Sequence, residues 1–297
     1  MLIDELVEFC DKQFSSQDTS YVCPGCTHNI KCSGSCKKCL EEIHYPNKYP
    51  DGKKDYDCSN LINFYVCDCS YKYASEIWYL LKKSQTIGKI DKYHIMSIGC
   101  GGCPDLMAFE SYIKDINLSK SIAYLGVDKN ELWKPVHKQI NTYRNEIITK
   151  NTFKYVDAIE YFNDNIIVST NVLILQYVIS HFYNTNQIDK IDRFYNDLIK
   201  SIVLHKQQNK PFVIIINDVN SNNRGRDFFL DLCQKLSAAD LHGTYSQYYF
   251  DYKIKNDKQR YGEKHNNNDV LYSVPDKLSN YEPWKICSSA QLLIELN

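Results

Sequence analysis

The sequence predicts an α/β fold, a doubly wound and mostly parallel sheet preceded by a small cysteine-rich, metal-binding module. Three observations carry that expectation. Residues 93–109, YHIMSIGCGGCPDLMAF, read as a buried strand, a glycine-rich turn and the start of a helix. Further apolar runs at 121–127, 172–175 and 212–216 alternate with stretches of helical periodicity, the rhythm of βα units. Finally, nine of the 13 cysteines fall within the first 69 residues. The 297 residues leave room for one large α/β domain and a small extra module. The expected division is 1–85 for an N-terminal helix, the cysteine-rich module and a connecting helix, and 90–297 for the sheet domain.

Bulk properties narrow the functional classes. A net charge of −1 and a pI near 6.7 give no global nucleic-acid signature, so any basic surface is local. No run of 18 apolar residues is present, and the acidic, amphipathic start MLIDELVEFCDKQF is unlike a signal peptide. The expectation is a cytoplasmic protein without a membrane partner.

In chain order, Leu2, Ile3, Leu6, Val7 and Phe14 are spaced for a short docking helix. Residues 21–69 then carry Cys23, Cys26, Cys32, Cys36, Cys39, Cys58, Cys67 and Cys69. Close-spaced cysteines put thiolates on one tight turn, as tetrahedral zinc requires, and eight is the number for two four-thiolate sites. One zinc with His28 or His44 replacing a cysteine is the alternative, and an Fe–S cluster also accepts four thiolates. Lys31, Lys37, Lys38, Lys48, Lys53 and Lys54 alternate there with Tyr45, Tyr49 and Tyr56. That mixture reads either as a surface for RNA or DNA phosphates and bases, or as the solvated face of a small metal-held fold. Residues 71–83 form a helix joining the two parts.

The sheet domain begins with strand 93–98. Its glycine turn fails the dinucleotide pattern G-x-G-x-x-G, because the sixth position from Gly99 is Pro104. Strand 121–127 follows and ends at Asp128, where an acidic side chain can accept ribose hydroxyls or simply cap the next helix. A short third strand at 153–156 ends in Asp157-Ala158. Strand four, Val172–Leu175, leads to Gln176, Tyr177 and His181; the histidine reads either as a base or as a polar residue under the sheet's rim. Helix 187–204, strand 212–216, a helix at 228–236, strand 244–252 and a final strand in SAQLLIELN complete the pattern. Arg224 and Arg226 lie on a polar loop before the 228–236 helix.

The segment IGCGGCPDL resembles the glycine turn of class I S-adenosylmethionine (SAM)-dependent methyltransferases. Cys103 stands where that family usually has its last glycine, and Ser97 where it often has an acid. The resemblance implies a Rossmann-like, seven-stranded sheet with an antiparallel last hairpin. It also implies a SAM site built from Gly99, Cys100, Gly101 and Asp105, from Asp128 and Lys129, from Asp157 and Ala158, and from Gln176. Gln176, Tyr177 and His181 are the expected catalytic or acceptor-facing residues. With a zinc module in front, the chain is similar to RNA methyltransferases that hold their substrate by such a module. The competing reading is a non-catalytic scaffold or sensor that binds SAM, another adenosine nucleotide or a protein partner. A redox role for the Cys100/Cys103 pair is a third reading, and the glycine turn accounts for their spacing without it.

Overall fold

A computed structural model describes residues 1–14, 35–117, 119–164, 167, 169–206, 210–221, 224–251 and 260–296. Cys23, Cys26, Cys32, His28 and Lys31 lie outside the described residues. Three helices come first: α1 (Leu2–Gln13), α2 (Cys36–His44) and α3 (Ser59–Lys83). The sheet domain follows with β1 (Lys92–Ile98), α4 (Pro104–Asp115), β2 (Ser121–Val127), α5 (Lys134–Thr142), β3 (Ile148–Lys154) and α6 (Ala158–Asp164). Its second half holds β4 (Val172–Gln176), α7 (Val178–Asn184), α8 (Ile191–His205), β5 (Phe212–Val219) and α9 (Phe229–Ala238). The last strands are β6 (Gly243–Tyr249), β7 (Glu263–Lys264) and β8 (Ser289–Leu296).

The strand order β3-β2-β1-β4-β5-β8-β6-β7 gives an α/β, Rossmann-like fold. Strands β3, β2, β1, β4 and β5 pair in parallel, whereas β8 runs antiparallel to both β5 and β6. The sheet has eight strands rather than the expected seven, because the two-residue β7 adds to the β6 edge. The chain reverses its winding between β1 and β4. In open α/β sheets that switch point leaves a crevice beyond the strand ends, where ligands bind.

Alternation along the strands sends side chains to two layers. Val172 and Ile174 of β4 join the cluster that includes Leu2, Leu61, Leu106 and Val136. Leu173 and Leu175 point into the opposite cluster with Ile179, Phe194 and Leu232. Helices α1–α3 therefore share one continuous core with the sheet face that α4 and α5 cover. All eight residues of β8 are buried, as expected for a strand paired on both edges.

Two element boundaries depart from the sequence reading. Helix α3 begins at Ser59 rather than 71 and carries Cys67 and Cys69, both fully buried. Cysteine behaves as a small hydrophobe there. Strand β3 begins at Ile148 rather than 153; it is an edge strand whose Thr149 and Lys150 are exposed, which weakens its apolar signal. Among the described residues, no helix is long and apolar enough to cross a membrane.

Candidate functional site

The switch-point crevice is a cavity of about 140 Å³. Its β1 wall is the glycine turn. Gly99 and Gly101 adopt φ of 62° and 46°, values that side chains disfavour. A Cβ at Gly99 would lie 3.0 Å from Val178 Cγ2. The Gly99 N–H donates to the Val127 carbonyl at 2.7 Å, which ties the turn to the end of β2.

Asp128 leaves the tip of β2 and braces that turn. Its carboxylate accepts from the Gly101 N–H at 3.0 Å and the Asn130 N–H at 2.9 Å. Burial raises its pKa, while these two N–H groups oppose the rise. Lys129 pairs with Asp55 at 3.4 Å. At the next strand end, Asp157 accepts the Ile159 N–H at 2.9 Å and so caps α6. Ala158 lies beside it, on the cavity wall.

The β4 side supplies the other wall. Gln176 donates from Nε2 to the Tyr73 carbonyl of α3 at 2.9 Å, while its buried Oε1 has no hydrogen-bond partner among the described residues. A buried acceptor left open in a cavity is suited to an N–H or O–H group from a ligand. Tyr177 has φ of 57°, an uncommon conformation for a bulky residue. Its hydroxyl donates to Glu76 Oε2 at 2.8 Å, and its ring centroid lies 4.4 Å from that of Tyr73. His181 faces the same cavity from α7. Burial and the nearby Lys129 lower its pKa, against the opposite pull of Asp55 and Asp157.

Gly99, Gly101, Asp128, Lys129, Asp157, Ala158, Gln176, Tyr177 and His181 thus line one cavity. Cys100 and Asp105, also predicted for the cofactor, do not line it. Asp105 is buried beneath the turn and accepts from the Tyr124 hydroxyl at 3.0 Å. Burial and the neighbouring Cys103 raise the Asp105 carboxyl to about 7, although Ser97 and Tyr124 hydrogen-bond to it. Asp55, Tyr56, Tyr65, Asn130 and Trp133 also line it, and none of them was expected from sequence at the cofactor site. Asn130, next to Asp128 and before a helical turn, was legible as a cap; the residues at 55–65 carry no local signal.

Asp55, Lys129 and Gln187 also line a polar groove of about 630 Å³, together with Lys54, Asn47 and Tyr183. Arg224 lies over the Tyr183 ring at 5.6 Å. By contrast, Lys37 pairs with Glu282, Lys38 with Glu42 and Lys53 with Asp57, so acids of the chain itself balance these lysines.

The predicted zinc ligands divide. Cys36 and Cys39 lie on α2, Cys58 is buried just before the first residue of α3, and Cys67 and Cys69 are core residues of α3. Cys67 directs its thiol to the Val7 carbonyl at 3.7 Å, and Cys69 directs its own to Asp68 at 3.5 Å. Among the described residues, the cluster of potential metal donors is a different one: Cys100, Cys103 and His137, whose donor atoms lie within 4.8 Å of one another. Burial pushes the Cys103 thiol up, but hydrogen bonds with Cys100 and His137 outweigh it and bring it to about 6. Burial lowers His137, while the adjacent Cys103 raises it further, for a net rise.

No protein-family model matches the sequence, and neither does any curated protein. Among solved structures, the plantazolicin methyltransferase BpumL, in complex with a triazolic desmethylPZN analog and SAH, is 14% identical. The match has a TM-score of 0.46 and covers 88% of this chain and 96% of that one. The CMeT domain of the citrinin polyketide synthase is 10% identical, with a TM-score of 0.39 over 72% of this chain and 48% of that chain. The bifunctional kinase-methyltransferase WbdD is 12% identical, with a TM-score of 0.36 over 88% of this chain and 46% of that chain.

Proposed function

We propose that the chain is a SAM-dependent methyltransferase whose cofactor binds in the crevice between β1 and β4. One observation carries the reading. The glycine turn, two carboxylates at successive strand ends and the unpartnered Gln176 Oε1 converge on one cavity. SAM bound there supplies a methyl group on a sulfonium, already activated for transfer. The residues' task is then to bind, orient and manage one proton. Asp128 would accept the ribose hydroxyls, Asp157 an adenine N–H, and Gln176 Oε1 the amino group of the methionine part. His181, held neutral by burial and Lys129, would take a proton from the acceptor's hydroxyl or amine.

The acceptor enters, in this reading, through the polar groove at Lys54, Lys129 and Tyr183. RNA is the acceptor class we propose, on the combination of Lys54, Arg224 and the Tyr183 ring at that groove. Zinc bound by the cysteines of residues 21–58 remains part of the proposal, without Cys67 and Cys69, which are core residues of α3.

A second reading is favoured by a specific measurement. The cavity volume of about 140 Å³ lies below the roughly 300 Å³ at which small-molecule sites begin. A domain whose cavity stays at this size would act as a scaffold or sensor, with a protein as its partner. Calorimetric titration with SAM and its demethylated product SAH separates the two readings. Micromolar binding supports the enzyme, and methyl transfer to RNA over peptide from labelled SAM would fix the acceptor. Absence of binding leaves the scaffold.

A further inference from the structure

We propose that Cys100, Cys103 and His137 form a buried zinc-class metal site that clamps the glycine turn from beneath, on the side away from the cavity. The donors converge on one point. His137 Nε2 lies 3.9 Å from Cys100 Sγ and 2.8 Å from the Gly101 carbonyl oxygen, and that oxygen is 3.7 Å from Cys103 Sγ. Two sulfurs and one imidazole nitrogen lie within 4.8 Å of one another, and the Gly101 carbonyl oxygen beside them offers a fourth donor. The sulfur and nitrogen donors suit zinc rather than magnesium or calcium. Neither cysteine is in a disulfide.

The surroundings are those of a closed site. Cys103 and His137 are buried, and the Phe153 ring stacks on the imidazole at 3.9 Å. His137 Nδ1 sits 2.9 Å from the Tyr155 hydroxyl. An outer partner of this kind fixes the tautomer of a metal-bound histidine and turns its other nitrogen to the ion. Gly126 makes room for the sulfur, since a Cβ there would lie 2.7 Å from Cys100 Sγ. Cys103 holds φ of 57°, a left-handed conformation suited to glycine, so the thiol is kept at that position against backbone preference.

Charge and protons balance. Two thiolates neutralise a divalent ion, which removes the main cost of burying it. On loading, both sulfurs bind as thiolates and any proton they held passes to solvent; the imidazole binds through Nε2 and keeps one proton, on Nδ1, donated to Tyr155. The Nε2–H bond to the Gly101 carbonyl is exchanged for the ion.

The test is metal content of the full chain, purified without chelator, by elemental mass spectrometry. It is paired with anomalous diffraction at the zinc edge. The expected result is one fewer zinc per chain in both His137→Gln and Cys103→Ser than in the native protein, and an anomalous peak between Cys100, Cys103 and His137. Zinc held by cysteines elsewhere in the chain would be common to all three proteins and cancel in the difference. Should either variant fail to fold, the anomalous map of the native protein decides alone. Its lack of a peak at this position, or a Cys100–Cys103 disulfide in non-reducing peptide mapping, would overturn the proposal. Because metal content is read without SAM, a failure of the cofactor reading leaves this result intact.

Discussion

Asp128→Asn offers a sharp perturbation of the crevice, because it keeps the side chain's size and removes its charge. Both carboxylate oxygens brace backbone N–H groups, of Gly101 and Asn130, and both have lone pairs left for a ribose diol. In the asparagine one oxygen becomes an NH₂ that must face a backbone N–H. One donor is therefore left without a partner, at about 1–3 kcal/mol of stability. Toward a nucleoside, one charge-assisted hydrogen bond is lost and the other weakened. Such bonds contribute about 1.5–3 kcal/mol each, so the expected loss of binding is about 2–4 kcal/mol. That corresponds to roughly 30- to 700-fold in Kd. Calorimetry with SAH measures the affinity, and thermal unfolding measures the stability. Unchanged affinity alongside a lowered Tm would refute the reasoning: Asp128 would then be a brace for the glycine turn and nothing more.

Other perturbations probe the walls and the core. His181→Ala is expected to cut kcat by roughly 10²–10⁴ while changing SAH affinity far less, as for loss of a general base. Because burial and Lys129 lower the pKa of His181 from 6.5, the native rate should rise with pH through a value below 6.5 and then level off. That acidic limb should vanish in the variant. Glu76 has no exposed surface and binds Tyr177, Asn217 and the Ser288 N–H while facing Lys72. Glu76→Ala is expected to destabilise by about 3–5 kcal/mol in denaturant unfolding, because it leaves Lys72 buried beside unsatisfied donors. His44 has its pKa lowered from 6.5 to about 4, by burial first and then by Lys72 and His181. The unfolded chain therefore takes up the proton first. This stabilisation is complete above pH 6.5 and is lost, by roughly 2–3 kcal/mol, as pH falls toward 4. Thermal melts across that range should show the decline, and His44→Gln should flatten it.

The parts of the site that could be read from sequence are those set by local rules. A glycine turn after an apolar strand, and acids at the tips of the next two strands, follow from backbone grammar. The structure places Gly99, Gly101, Asp128 and Asp157 on one cavity accordingly. The opposite wall was not legible. Asp55, Tyr56 and Tyr65 reach the cavity from before and within α3, and only tertiary packing brings them there. Cysteine density concealed that helix: Cys67 and Cys69 read as ligands, although in the fold they pack as apolar side chains. Within the turn itself, Cys100 and Asp105 were expected to meet a cofactor. Their neighbours are instead Gly126, Tyr124 and His137, and the pairing with His137 crosses 37 residues of chain that no spacing rule links.

The placement of β8 bears on how the protein is made. Strand β5, ending at Val219, finds its antiparallel partner only at Ser289–Leu296, after α9, β6 and β7 have been laid down. While a ribosome is still translating that interval, Phe212–Ile216 presents an open apolar edge with unpaired backbone groups. Such an edge is a template for strands of other nascent chains. The antiparallel strand therefore joins β5 and β6 only after both have been made. Pauses or frameshifts between 220 and 288 should send product toward aggregates and chaperones rather than toward a shortened soluble domain.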